Sequence, residues 1–264
     1  MPERIMAHLV AAYPDLEGSL AAALGLAEGG AAYLEVQFPF SDPTADGPLI
    51  QAACDAALKA GFRSADGFAL VRRIREAVRA PIFLMSYANP VFVRGVRAFL
   101  EEARDAGAAG LIVPDLPVDC DEGLYEQGRA LGLHVVPVAS PNIRPPRLEL
   151  LRARGPGYLY AALRRGVTGE ATSLGEENLA FLRALAGPGT RVLAGFGVRD
   201  RAQVLALAPL AHAVVVGSAF VQAVAAAAAG GPRAVRRAAR EAAARLTGAA
   251  ASRPPGPEGS PLTP

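Results

Sequence analysis

Short apolar runs alternate with longer segments of helical period along residues 5–246, and this alternation sets the fold class. The runs at 5–12, 33–38, 81–86, 110–113, 134–138, 158–161, 191–194 and 213–216 read as strands. Amphipathic segments at 16–28, 48–59, 64–78, 96–106, 121–131, 145–153 and 176–186 read as helices, as do a segment capped by Asp200 through Leu207 and a last stretch to about 246. Local punctuation agrees. Gly29-Gly30, Gly61, Gly107 and Gly132 stand where helices end, and Pro48 and Pro145 where helices begin. Strand–helix units recurring at roughly 30-residue intervals imply a parallel sheet. Eight of them predict an α/β fold, the (β/α)8 barrel. The competing open doubly wound sheet normally carries GxGxxG after its first strand, where this chain has Tyr13-Pro14-Asp15. The expected organisation is one barrel domain over 1–246 and a disordered Pro/Gly-rich tail over 247–264.

The strand at 33–38 departs from the pattern in a way that points to chemistry. Successive side chains on a strand face opposite sides. Leu34 and Val36 therefore share one face, and Glu35 and Gln37 the other. A carboxylate on a buried face is costly unless it is partnered or used. The chain then enters an acidic loop stiffened by Pro39 and Pro43, with Asp42 and Asp46, closed by Gly47-Pro48. In such barrels the chemistry sits at the carboxyl ends of the strands. Tyr87, Asn89 and Asp115 also fall at strand ends, and Tyr160 lies on the sixth strand. So do three glycine turns: Gly166-Val167-Thr168-Gly169, Gly195-Phe196-Gly197 and Gly217-Ser218. Glycines let backbone amides approach an anion, and a helix amino terminus adds a favourable dipole, so these turns predict a phosphate cradle.

Composition narrows the chemistry further. Net charge is +2, and the basic residues are scattered apart from Arg233–Arg245, so no nucleic-acid partner is expected. No uncharged apolar run reaches the length of a membrane span. Met1-Pro2-Glu3-Arg4 leads directly into a strand-like segment without the pattern of a signal peptide, and Cys54 and Cys120 are too few for a disulfide framework. Cytoplasmic residence is the expectation. All but one of the 27 basic residues are arginine. The exception, Lys59, sits near the end of an outer helix, which argues against a Schiff-base aldolase. His8, His134 and His212 lie apart and read as separate structural histidines rather than metal ligands. What remains is acid–base catalysis by carboxylates on a phosphate-bearing substrate.

At this point the residues match a known family. The chain resembles the tryptophan synthase alpha subunit over nearly all of 5–246. The resemblance rests on Leu34-Glu35, Pro39-Phe40-Ser41-Asp42-Pro43, Ala45-Asp46-Gly47-Pro48 and Ile50-Gln51. It extends to Tyr87-Ala88-Asn89-Pro90, Asp115-Leu116-Pro117 and the three glycine turns. It implies cofactor-free cleavage of indole-3-glycerol phosphate to indole and glyceraldehyde 3-phosphate. It also implies a heterotetramer with a beta subunit that carries pyridoxal phosphate and receives the indole. By the same resemblance Glu35 is the acid–base group and Asp46 stabilises charge on the indole nitrogen. Tyr160 lines the site and Phe196 packs near the indole, and Tyr87 and Gln37, from their strand-end positions, are expected to line it too. Gly169, Gly197, Gly217 and Ser218 hold the phosphate. Asp42, Pro43 and Asn89 face the partner, and the loops 39–48 and 163–173 are lids.

One position and one short run depart from the family pattern. Gln37 stands where the family usually has glycine, and Leu163-Arg164-Arg165 adds charge before Gly166. Reduced activity of the isolated chain is expected. The alternatives are a stand-alone indole-glycerol phosphate lyase, another phosphate-binding barrel enzyme of histidine or tryptophan synthesis, or a catalytically weakened phosphate-binding subunit. Retention of both Glu35 and Asp46 argues against the last.

Overall fold

The computed structural model describes residues 3–154, 157–162, 175–195 and 197–249. Among these, one parallel sheet contains β1 (Ile5–Val10), β2 (Tyr33–Gln37), β3 (Ile82–Met85), β4 (Gly110–Ile112) and β5 (His134–Val136). It continues with β6 (Val138–Ala139), β7 (Tyr158–Ala162), β8 (Arg191–Gly195) and β9 (Ala213–Val216). The spatial order is β5-β4-β3-β2-β1-β9-β8-β7-β6. β5 and β6 are two halves of one strand broken at Pro137, whose nitrogen has no hydrogen to give a ladder. β5 pairs with β4 and β6 with β7, so the ring closes across that proline. The result is the expected (β/α)8 barrel.

Strand alternation builds two layers. Ile5, Ala7 and Leu9, with Leu34, Val36, Ile82 and Leu84, point outward into the core shared with the helices. Met6, Phe83, Met85, Ile112, Tyr158, Tyr160, Leu193 and Val215 point inward and fill the barrel. The first and last long helices, Leu16–Glu28 and Gly231–Thr247, pack so closely that a Cβ on Gly25 would collide with the carbonyl of Arg236.

Local chemistry adjusts several predicted boundaries. A helix predicted from Asp121 begins at Leu124, because Glu122 and Gly123 take left-handed φ values of 48° and 80°. Asp121 is buried instead and accepts the amide of Tyr125 at 3.0 Å. The segment after β3, read as a loop, holds the short helix Ala88–Arg94, whose first amide donates to Asp115 at 2.9 Å. Asp200 caps its helix as predicted, with Gln203 completing a capping box. The final helical stretch is divided into Ser218–Ala227 and Gly231–Thr247. The predicted tail lies outside the described residues from residue 250 onward. No helix among the described residues is long and apolar enough to cross a membrane.

Candidate active site

The register of β1 and β2 sets the site. His8 and Glu35 are direct partners across this pair, and both side chains face the barrel interior. Nδ1 of His8 lies 2.7 Å from Oε2 of Glu35, with side-chain exposures of 4% and 3%. One turn of the pleat further on, Val10 is partnered with Gln37. The mouth of the barrel therefore opens over a layer containing an acid and an imidazole, with an amide above them. A cavity there is lined by His8, Glu35, Asp46, Met85, Tyr160, Gly197, Gly217 and Ser218, among others.

Asp46 reaches this cavity from the loop after β2 and is itself buried. Gln37 Nε2 donates to its Oδ2 at 2.6 Å, and the hydroxyl of Tyr87 donates to the same oxygen at 2.8 Å. Burial pushes the Asp46 carboxyl above its ordinary value, with the nearby Glu35 charge adding to it, while His8 and these two hydrogen bonds pull it down. The loop is fastened by the same residues. Tyr87 accepts the amide of Ala45 at 3.1 Å, and its ring stacks on Phe40 with centroids 5.3 Å apart. Gln51 Nε2 donates to the carbonyl of Asp46 at 2.8 Å. Cys54 packs beneath, 3.4 Å from Gln37 Nε2, and burial pushes its thiol up to about 12, which leaves it protonated near neutral pH.

Tyr160 forms the opposite wall. Burial, with the charges of Glu35 and Asp46, holds its phenol well above the ordinary value, so it is a neutral hydroxyl. Gly195 makes room for it: a Cβ there would meet the Tyr160 hydroxyl at 2.5 Å. The cavity ends at the amino terminus of the helix Ser218–Ala227, where the cap residue Gly217 has no side chain to offer the first-turn amides. Gly197, with φ of +88°, lies at the same end. The first amides of the helix and its dipole make this a place for an anion.

The predicted residues that the structure describes thus fall into three groups. Glu35, Asp46, Tyr160, Gly197, Gly217 and Ser218 line one cavity. Gln37 and Tyr87 stand behind Asp46 and bond to it rather than lining that space. Asp42 and Asn89 are exposed and Pro43 is buried, all outside the cavity lining. Gly169 and Phe196 lie outside the described residues, as do the turn 166–169 and the loop 163–173. Sequence reasoning missed His8. Its strand position gave no warning, but aligning β1 on β2 by their apolar faces would have set it beside Glu35. His134 and His212 are far from this mouth, at the starts of β5 and β9, where His212 bonds the Tyr33 hydroxyl at 2.8 Å. Among the described residues no group of three or more His, Cys, Asp and Glu side chains is placed to hold a metal ion.

Known proteins share this arrangement of strands and loops. A family model described as "Tryptophan synthase alpha chain" matches residues 3–250. A tryptophan synthase alpha chain from Streptomyces coelicolor is 42% identical over 219 residues, covering 83% of this chain and 81% of that protein. One from Helicobacter hepaticus is 35% identical over 226 residues, covering 83% and 85%. Among solved structures, a chain of Mycobacterium tuberculosis tryptophan synthase superposes with a TM-score of 0.82 at 35% identity, covering 93% of each chain. A chain of the Pyrococcus furiosus tryptophan synthase alpha2beta2 complex gives 0.83 at 33% identity, covering 94% of this chain and 100% of that one. With a family model matching nearly its whole described length and relatives this similar over most of theirs, the chain belongs to the tryptophan synthase alpha chain family.

Proposed function

We propose that the chain cleaves indole-3-glycerol phosphate to indole and glyceraldehyde 3-phosphate without a cofactor of its own. The observation that carries this reading is one buried cavity holding two carboxylates, Glu35 and Asp46, and ending at an uncapped helix amino terminus. The amides around Gly197, Gly217 and Ser218 take the phosphate, and Gly169 belongs to the same cradle by resemblance. The indole ring lies toward Tyr160 and Asp46, and Phe196 is assigned to the same ring by resemblance alone.

The reaction moves one proton and breaks one bond. Indole C3 gains a proton, and the positive charge that develops on the ring nitrogen is stabilised by Asp46. Glu35 takes the proton from the hydroxyl on the glycerol carbon next to the ring. The bond between that carbon and C3 breaks, its electron pair returns to the ring, and the carbon leaves as the aldehyde of glyceraldehyde 3-phosphate. Glu35, at the carboxyl end of β2, serves as the proton-moving group on both sides of the step.

Two solved relatives from Pyrococcus furiosus are chains of tryptophan synthase complexes, which supports a partner for this chain too. The partner is a pyridoxal-phosphate-bearing beta subunit that consumes the indole, met through the loop carrying Asp42 and Pro43 and the helix carrying Asn89. Cytoplasmic residence follows from that role. Placement of Gln37 behind Asp46, instead of in the cavity, supports an active enzyme over a weakened phosphate-binding subunit. The test is release of indole and glyceraldehyde 3-phosphate in equal amounts from indole-3-glycerol phosphate by the full chain, alone and with a beta subunit. Stoichiometric release that rises with the partner is expected. Phosphate binding with no release under either condition would overturn the assignment.

A further inference from the structure

β1 carries one polar side chain among six buried residues, His8, and burying an imidazole in an apolar strand is unfavourable without a partner. The partner is Glu35, level with it on the next strand, at 2.7 Å from Nδ1. At that distance the two buried side chains share a hydrogen bond, in which Nδ1 donates to Oε2 when the ring is protonated. The other nitrogen, Nε2, is buried and bonds no protein atom among the described residues. The ring edge nearest to it faces the anion end of the cavity: Cδ2 lies 3.6 Å from where a Cβ on Gly217 would stand. His8 is thus placed between the acid–base group and the helix terminus read as the phosphate site.

We propose that His8 is a positioning residue for this reaction: bonded through Nδ1, it fixes the orientation of Glu35, and its protonated form sets the alkaline limit of activity. The inference rests on the reading of Glu35 as the acid–base group. The charges facing His8 are Glu35 from β2 and Asp46 from the following loop, with the neutral Tyr160 from β7 and the amino terminus of the helix Ser218–Ala227 completing the wall. Among the described residues no lysine or arginine lines the cavity, so of these the His8 imidazolium is the side-chain cation set against two carboxylates. Burial opposes that charge, but the bond and charge of Glu35, together with Asp46, outweigh it and hold the His8 pKa above its ordinary value. A protonated His8 also adds positive charge beside the phosphate end, where the helix dipole alone is weak.

Two measurements test this. The first is the chemical shift of the His8 ring nitrogens in the full chain as pH is varied, in wild type and Glu35→Gln. The expected result is a titration above the ordinary histidine value that moves down in the variant. A titration at or below that value, or one indifferent to Glu35, overturns the proposal whether or not the chain turns over substrate. The second is the pH profile of kcat for indole release with the beta subunit bound. Removing an outer partner of an active group typically reduces activity about 10–100-fold, and that loss in kcat with little change in KM is expected for His8→Phe. His8→Asn, which keeps an N–H at the Nδ1 position, should recover part of kcat while losing the fall at alkaline pH. An unchanged alkaline limb in His8→Asn, or wild-type kcat in a folded His8→Phe, overturns it. Failure of wild type to release indole, with the His8 titration as expected, would reject the reaction but keep the ion pair.

Discussion

The side-chain amide of Gln37 donates to Oδ2 of Asp46 at 2.6 Å, from β2 to the loop nine residues further on. The residue that stands where the family usually has glycine is thus a support for the second carboxylate. Replacing it should therefore harm the enzyme. Gln37→Gly removes a hydrogen bond to a buried charged group, worth about 1.5–3 kcal/mol, and adds backbone freedom to a strand. The expected outcome is a lower denaturation midpoint and a lower kcat. A rise in activity in Gln37→Gly would show instead that the side chain crowds the substrate.

Tyr87 carries the same carboxylate and also ties the loop by accepting the amide of Ala45. Tyr87→Phe keeps the ring that stacks on Phe40 but leaves Asp46 with one donor fewer. A stability loss of about 1.5–3 kcal/mol by chemical denaturation is expected, together with faster proteolysis within residues 39–48.

The raised pKa of Asp46 makes a prediction about pH, and its sign is opposite to the usual carboxylate case. A folded-state value above the unfolded one means that the folded chain holds the proton more tightly. Stability from this group is then full below the unfolded value near 3.8 and is lost as pH rises through the higher folded value. Asp46→Asn has no such loss, and its amide oxygen still accepts from Gln37 and Tyr87. Thermal midpoints of variant and wild type should therefore converge near pH 4 and separate above it, with Asp46→Asn the more stable at pH 8 and nearly inactive. A separation that shrinks with rising pH would contradict a raised Asp46 pKa.

The barrel and its acidic corner were legible because both are written in short-range pattern. Alternation on 33–38 placed Glu35 and Gln37 inward, and glycine turns marked the strand ends. Three features were not legible. Asn89-Pro90 carries a turn signal, yet helix Ala88–Arg94 forms because Asp115, distant in sequence, takes its first amide. The strand at 134–138 reads as continuous, yet Pro137 divides it. The bonds from His8 to Glu35 and from Tyr87 to Asp46 span separations of 27 and 41 residues, which only the register of packed strands brings together.

Ser218 is the first residue of the helix that ends the cavity. Ser218→Asp puts a negative charge at that terminus, which should stabilise the free chain by about 0.3–1 kcal/mol. The same charge repels an anion, so inorganic phosphate and substrate should bind about 10-fold or more weakly. Calorimetric titration with phosphate, paired with a thermal melt, checks both halves. Tighter phosphate binding would move the anion site elsewhere.

The most direct measurement is kcat for indole release by Glu35→Gln, with its phosphate affinity and thermal midpoint measured alongside. Losing a general acid–base group typically lowers the rate about 10²–10⁴-fold. A loss of that size with phosphate affinity retained is predicted. A folded, phosphate-binding Glu35→Gln that releases indole at the wild-type rate would contradict the role given to Glu35, and with it the proposed chemistry of the barrel mouth.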